Sequence, residues 1–156
     1  EFVKRYLPQS TFDLLIADEA HEYKNGGSAQ GQAMGVLAAK ARKTLLLTGT
    51  LMGGYGDDLF YLLFRALPGR MLEDGYRPTT SGSMTSAAMA FMRDHGGLKD
   101  TSSESTGTAH KTAKGTKVSV RTVKAPGFGP KGVLRCILPF TIFLKLKDIG
   151  GNVLPP

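Results

Sequence analysis

The chain has 156 residues, 41% of them hydrophobic and 8% aromatic with no tryptophan, enough for one domain with a lean core and not comfortably for two. No apolar run approaches the roughly eighteen residues needed to cross a bilayer, and no charged-then-apolar leader is legible at the start. A single cysteine, Cys136, excludes an internally disulfide-bonded scaffold and fits a reducing, cytoplasmic compartment. The net charge of +7 is one-sided. Residues 1–100 carry 11 basic and 11 acidic side chains, whereas residues 101–156 carry 9 basic ones against only Glu104 and Asp148. Such a segment is the electrostatic footprint of a nucleic-acid partner, and it is equally what a solvated lysine-rich loop gives.

Residues 1–77 read as dense α/β structure. Phe12 to Ala17 (FDLLIA) is a short, unbroken apolar run, the pattern of a strand buried on both faces in a parallel sheet. After the turn Asn25-Gly26-Gly27, Ser28 caps a predicted helix to about Arg42, with apolar residues at helical spacing. Thr44 to Leu47 is a second buried strand, and Gly53-Gly54-Tyr55-Gly56 a second, flexible loop. Asp57 or Asp58 then opens a helix through Leu67, closed by Pro68-Gly69. Strand, helix, strand and helix in this order imply a right-handed parallel crossover.

Residues 78–132 change character. Ser, Thr, Gly and Lys dominate, one short helix fits at Ala87–Arg93, and 99–117 has little to bury, which predicts a mobile insertion. Residues 133–156 regain apolar content. His95 and His110 fall in the polar stretch and read as surface residues, while Cys136 reads as a small buried hydrophobe.

The sharpest chemical signal is LLIADEAHEYKN, residues 14–25. Asp18 and Glu19 follow directly on a predicted parallel strand, whose carboxyl end faces the ligand crevice. Phosphoryl transfer needs one carboxylate to hold Mg²⁺ and another group to orient or deprotonate the attacking water; Asp18 suits the first role and Glu19 the second. A zinc reading fails, because His21-Glu22 opens a His-Glu-x-x-His pattern whose fifth position is Asn25. The second signal is KTLLLTGTLMGG, residues 43–54, where a strand ends in Thr48-Gly49-Thr50 at the same sheet edge. Two hydroxyls flanking a glycine there permit close approach and exchangeable hydrogen bonds.

A DEAH followed by a TGT on consecutive strands resembles motifs II and III of superfamily 2 helicases and translocases. DEAHEYKN, LLLTGTLMGG and DDLFYLLFRALPGRM together resemble the Swi/Snf-like branch most closely, over about residues 12–72. The match is weaker over 133–156 and absent from the insertion. The resemblance implies an α/β fold: a partial parallel-sheet P-loop NTPase (recombinase-like) lobe with a long Gly/Ser/Thr/Lys-rich insertion. Residues 1–77 would form the C-terminal half of the ATP-binding lobe, 78–132 a flexible basic insertion, and 133–156 the segment leading to a second lobe.

In that family Asp18 would coordinate the Mg²⁺ of Mg-ATP and Glu19 would be the catalytic base. Asp18, Glu19 and His21 would together bind the nucleotide cofactor, and His21, Thr48, Gly49 and Thr50 would couple it to the nucleic-acid groove. The implied cofactors are ATP and Mg²⁺, and the implied partner is duplex DNA. Lys111, Lys114, Lys117, Arg121 and Lys124 could track its phosphates. Lys24 and Asn25 match the pattern without an evident mechanism. The sequence departs from the family in having no G-x-x-x-x-G-K-[ST] phosphate loop. It is therefore expected to be a fragment, inactive alone, of a longer ATP-dependent motor. The alternative is a non-catalytic copy that only binds nucleic acid or protein.

Overall fold

The computed structural model describes residues 1–104 and 118–148. Lys111, Lys114, Lys117 and His110 lie outside the described residues, as do the end of the 99–117 stretch and residues 149–156. The fold is mixed α/β with two small two-stranded sheets, one parallel and one antiparallel. A short helix α1 (Phe2–Tyr6) leads into strand β1 (Phe12–Ala17) and a 3₁₀ turn (Ala20–Lys24). Helix α2 (Ala29–Ala38) then connects to β2 (Ala41–Leu46), which pairs with β1 in parallel from Phe12↔Ala41 to Ala17↔Leu46. The Ser28 Oγ accepts from the Gly31 N–H and caps α2, as the sequence predicts. The helix ends earlier than Arg42, because residues 41–46 are taken up by the ladder to β1.

The expectation that β1 is buried on both faces does not hold. Leu15, Ala17 and Leu46 pack against Met34 and Ala38 of α2. The opposite face carries Phe12, Leu14, Ile16 and Leu45, all exposed, with Leu47 just beyond the strand. In a two-stranded pair only one layer covers the sheet. The apolar run records a strand's tolerance for burial, and a second layer would be needed to realise it.

Helix α3 (Gly56–Ala66) follows, with the buried Leu59, Phe60 and Leu62 on its inner side. Pro68 does not simply end this helix. It occupies the first turn of a further helix, α4 (Pro68–Glu73), where its missing N–H costs nothing. Between residues 78 and 132 the described residues form a helix and a two-stranded ribbon, and the helix expected at Ala87–Arg93 runs longer, from Thr85 to His95. Helix α5 (Thr85–His95) runs into a ribbon of β3 (Gly96–Glu104) and β4 (Val118–Phe128), antiparallel with a bulge at Gly96/Gly97. Periodicity marks α5 weakly because its buried residues include two alanines, Ala87 and Ala88, beside Phe91 and Met92. None of the ribbon's side chains described, at 96–101 and 121–128, is buried, and backbone pairing holds the two strands together. Helical turns follow at Pro130–Gly132, Val133–Ile137, Leu138–Phe140 and Leu146–Asp148.

The main core joins Phe60, Met71, Tyr76, Ala87, Ala88, Phe91 and Cys136 and so draws on all three sequence stretches. Phe60, Tyr76 and Phe91 meet edge-on or tilted, with ring centroids 5.2–6.3 Å apart. His95, expected at the surface, is buried at 5% exposure against Phe91, Tyr76 and Phe128. The position ends an amphipathic helix, so its apolar neighbours cover the ring. The His95 Nδ1 is buried and has no hydrogen-bond partner among the described residues. Burial therefore holds the imidazole pKa below its usual value, opposed by Asp94 and Asp74 and reinforced by Lys131 and Arg135.

Two predictions follow from this core. Because folding lowers the His95 pKa, the unfolded chain binds the extra proton. Stability is then complete above the unfolded value of about 6.5 and falls as the pH drops through the lowered folded value. Urea melts between pH 7.5 and 5 should show that loss in the wild type, and a smaller acid-dependent loss in His95→Gln. Phe60→Ala should cost about 3–5 kcal/mol, whereas Phe12→Ala on the open sheet face should change stability by under ~0.5 kcal/mol, both read from chemical denaturation.

Candidate functional site

The DEAH residues sit where β1 ends. Ala17 closes the strand and Asp18 follows, exposed, with its Oδ1 accepting the Glu19 N–H at 2.8 Å. Glu19 has φ 48° and ψ 47°, the left-handed region, which costs a side-chain-bearing residue about 1 kcal/mol. That reversal lets the backbone leave the strand and enter the 3₁₀ turn at once. The turn is pinned by the Ala20 N–H donating to the Leu47 carbonyl at 2.9 Å, while the Leu47 N–H donates to Ala17 at 2.9 Å. The DEAH turn and the loop after β2 are thus bonded backbone to backbone at the carboxyl edge of the parallel pair.

His21 lies across this junction. Its Nδ1 is 3.2 Å from Glu19 Oε2 and 3.4 Å from Thr48 Oγ1. With the proton on Nδ1 the ring donates to the carboxylate and borders the hydroxyl. Thr48 Oγ1 also accepts the Thr50 N–H at 3.1 Å and donates to the Thr50 carbonyl at 3.0 Å, which folds Thr48-Gly49-Thr50 into a compact turn. Glu19, His21 and Thr48 are therefore brought into one chain of contacts, with Asp18 adjoining and Thr50 behind. The Glu19 side chain is 63% exposed, so this edge is open to solvent. Among the described residues no group of three or more His, Cys, Asp or Glu side chains converges as a ready-made metal site. Asp18 is the carboxylate at the strand end that could hold a cation.

The remaining predicted residues separate. Arg121 is exposed on β4. Lys124 forms an ion pair with Asp57, at the start of α3, with its side chain still half exposed. The buried Asp57 is a stronger local attractor than water for an ammonium within reach.

Sequence reasoning singled out Lys24 and Asn25 but missed the α3 residues that seat them, Asp58 and Arg65. Lys24 pairs with Asp58 at 3.3 Å, and Arg65 Nη2 donates to the Asn25 carbonyl at 2.8 Å. Lys24, Asn25, Tyr61 and the two aspartates, together with Lys124, line a polar cleft of about 320 Å³. Burial holds the Arg65 pKa below its usual value, opposed by Tyr61, while Nη2 donates to the Asn25 and Gly26 carbonyls. The signal was present in Lys24-Asn25 and Asp57-Asp58, but as charges on separate elements they read as surface and helix-start residues.

No family model, curated protein or solved structure matches the chain.

Gly26 lets the Asn25-Gly26 turn lie against Tyr61: a β-carbon there would fall 2.4 Å from the ring. Gly26→Ala should therefore lower stability by about 1–3 kcal/mol by forcing that ring aside, measurable as a reduced urea midpoint.

Proposed function

We propose that this chain is the part of an ATP-dependent nucleic-acid translocase that holds the metal carboxylate, the water-activating carboxylate and the coupling loop. The observation that carries this reading is the junction at the carboxyl edge of β1 and β2. There the Ala20–Leu47 backbone bond and the His21 contacts to Glu19 and Thr48 tie the DEAH turn to the TGT loop. Open parallel sheets bind ligands at that edge. The uncovered apolar face of β1 and β2 supports a place within a larger parallel sheet, where a second layer would cover it.

Asp18 fits a Mg²⁺ ion of the kind that accompanies ATP. Such an ion keeps most of its shell as water and phosphate oxygens and takes one or two protein carboxylates, supplying the charge that neutralises developing negative charge on the phosphates. Glu19, exposed at the tip of the turn, would orient the attacking water and accept its proton. His21 would sense the state of Glu19 and pass it to Thr48, because the same ring nitrogen borders both. A phosphate cradle is not among this chain's residues, so these roles are contributions to a site completed elsewhere. The basic residues after 100, Arg121 among those described, would favour a polyanion such as duplex DNA.

The test is ATP hydrolysis with Mg²⁺, with and without duplex DNA, in the longest natural chain that contains this sequence. DNA-stimulated turnover should fall by about 10²-fold or more in Glu19→Gln, the loss expected for a positioned general base. Equal activity in both proteins, or none in either, removes the enzymatic reading. A module that binds nucleic acid or protein would then be left, to be assayed by salt-dependent binding to labelled duplex DNA.

A further inference from the structure

We propose that Asp58 is a positioning residue that fixes the DEAH turn and the TGT loop relative to each other through Lys24 and Gly53. One carboxylate oxygen, Asp58 Oδ2, accepts from Lys24 Nζ at 3.3 Å and from the Gly53 N–H at 2.9 Å. Lys24 is the last residue of the 3₁₀ turn that begins one residue after Glu19, and Gly53 lies three residues beyond Thr50. A single oxygen therefore ends both motif-bearing segments. A β-carbon on Gly53 would stand 2.4 Å from Lys24 Nζ and 2.7 Å from Asp58 Oδ2, so lysine, loop and carboxylate converge on one point.

The anchor is rigid because Asp58 lies in the first turn of α3, whose next two residues, Leu59 and Phe60, are fully buried. The Asp58 side chain is only 19% exposed, which limits screening of its pair with Lys24. The turn needs such an anchor. Glu19 occupies a left-handed conformation that persists only where surrounding contacts over-determine it. The Leu47–Ala17 bond fixes the backbone before Glu19, and the turn after it is held at its start by Ala20–Leu47 and at its end by Lys24–Asp58. This also gives Lys24 a role that its place in the motif does not reveal.

The structural part of this inference stands on geometry alone; its consequence for turnover rests on the nucleotide reading above. Amide hydrogen exchange of the 156-residue chain tests the first part. In Asp58→Asn the Ala20 and Glu22 amides should exchange about tenfold faster or more, as loss of a charge-assisted bond implies, while Phe91 and Met92 in α5 keep their rates. The charge-swapped pair Lys24→Asp with Asp58→Lys should return Ala20 towards the wild-type rate. Uniform acceleration at all amides, or none at Ala20, overturns the proposal. Should Asp58→Asn not fold, Lys24→Ala leaves the carboxylate on α3 and is read in the same way. In the longest natural chain, Asp58→Asn should lower kcat with KM little changed; a change in KM alone overturns the link to turnover. Absence of ATP hydrolysis in the wild type removes the nucleotide reading and leaves the exchange result to decide the positioning role.

Discussion

Two adjacent carboxylates at the start of α3 fasten together segments that are far apart in the chain. Asp58 takes Lys24 from the DEAH turn and the Gly53 amide from the loop after β2, and Asp57 takes Lys124 from β4. Nearby, the Gly127 N–H donates to the Gly54 carbonyl at 2.8 Å and joins the base of the ribbon to the same loop. Charged pairs on a solvent-facing surface contribute little, but here the carboxylates are largely enclosed and each holds a defined partner. The helix N-terminus also favours negative charge, so both aspartates sit where the backbone dipoles stabilise them.

Around this knot the molecule divides its interior into two clusters. The larger is aromatic and gathers Phe60, Tyr76 and Phe91, with Cys136 from the C-terminal turns. Burial pushes the Cys136 thiol pKa up, reinforced by Asp74, which disfavours the thiolate in this packed position. The C-terminal turns are held as well by Arg135, which reaches Asp74 at 2.6 Å and keeps that carboxyl below its usual range. The smaller cluster lies between α2 and one face of the parallel pair. The strand ends that carry the DEAH and TGT residues thus rest on the thinner part of the structure, and α3 reinforces them from the side through Lys24 and Arg65.

That arrangement accounts for the chemistry the edge could support. A strained Glu19, an imidazole between a carboxylate and a hydroxyl, and an exposed Asp18 form an open constellation, fixed in its backbone and free at its side-chain tips. Preorganised backbone with accessible carboxylates is what positioning of water and metal demands.

The sequence alone determined the local elements whose cause is local. Six consecutive apolar-rich residues form β1, Ser28 caps α2, and the acidic Asp57-Asp58 pair opens α3. It also placed Asp18, Glu19, His21 and Thr48 at one edge, because two parallel strands joined by a helix must end on the same side. Tertiary structure alone decided the rest. The polar stretch after α5 became a ribbon because backbone pairing, which leaves no mark in composition, holds it. His95 was buried by neighbours that include Tyr76 and Phe128, distant in sequence. Lys124 pairs with Asp57, and Lys24 with Asp58, because an ion pair depends on which charges the fold brings within about 4 Å. Periodicity and propensity act over a few residues, whereas these pairings span 34 and 67 positions and exist only once α3 has docked.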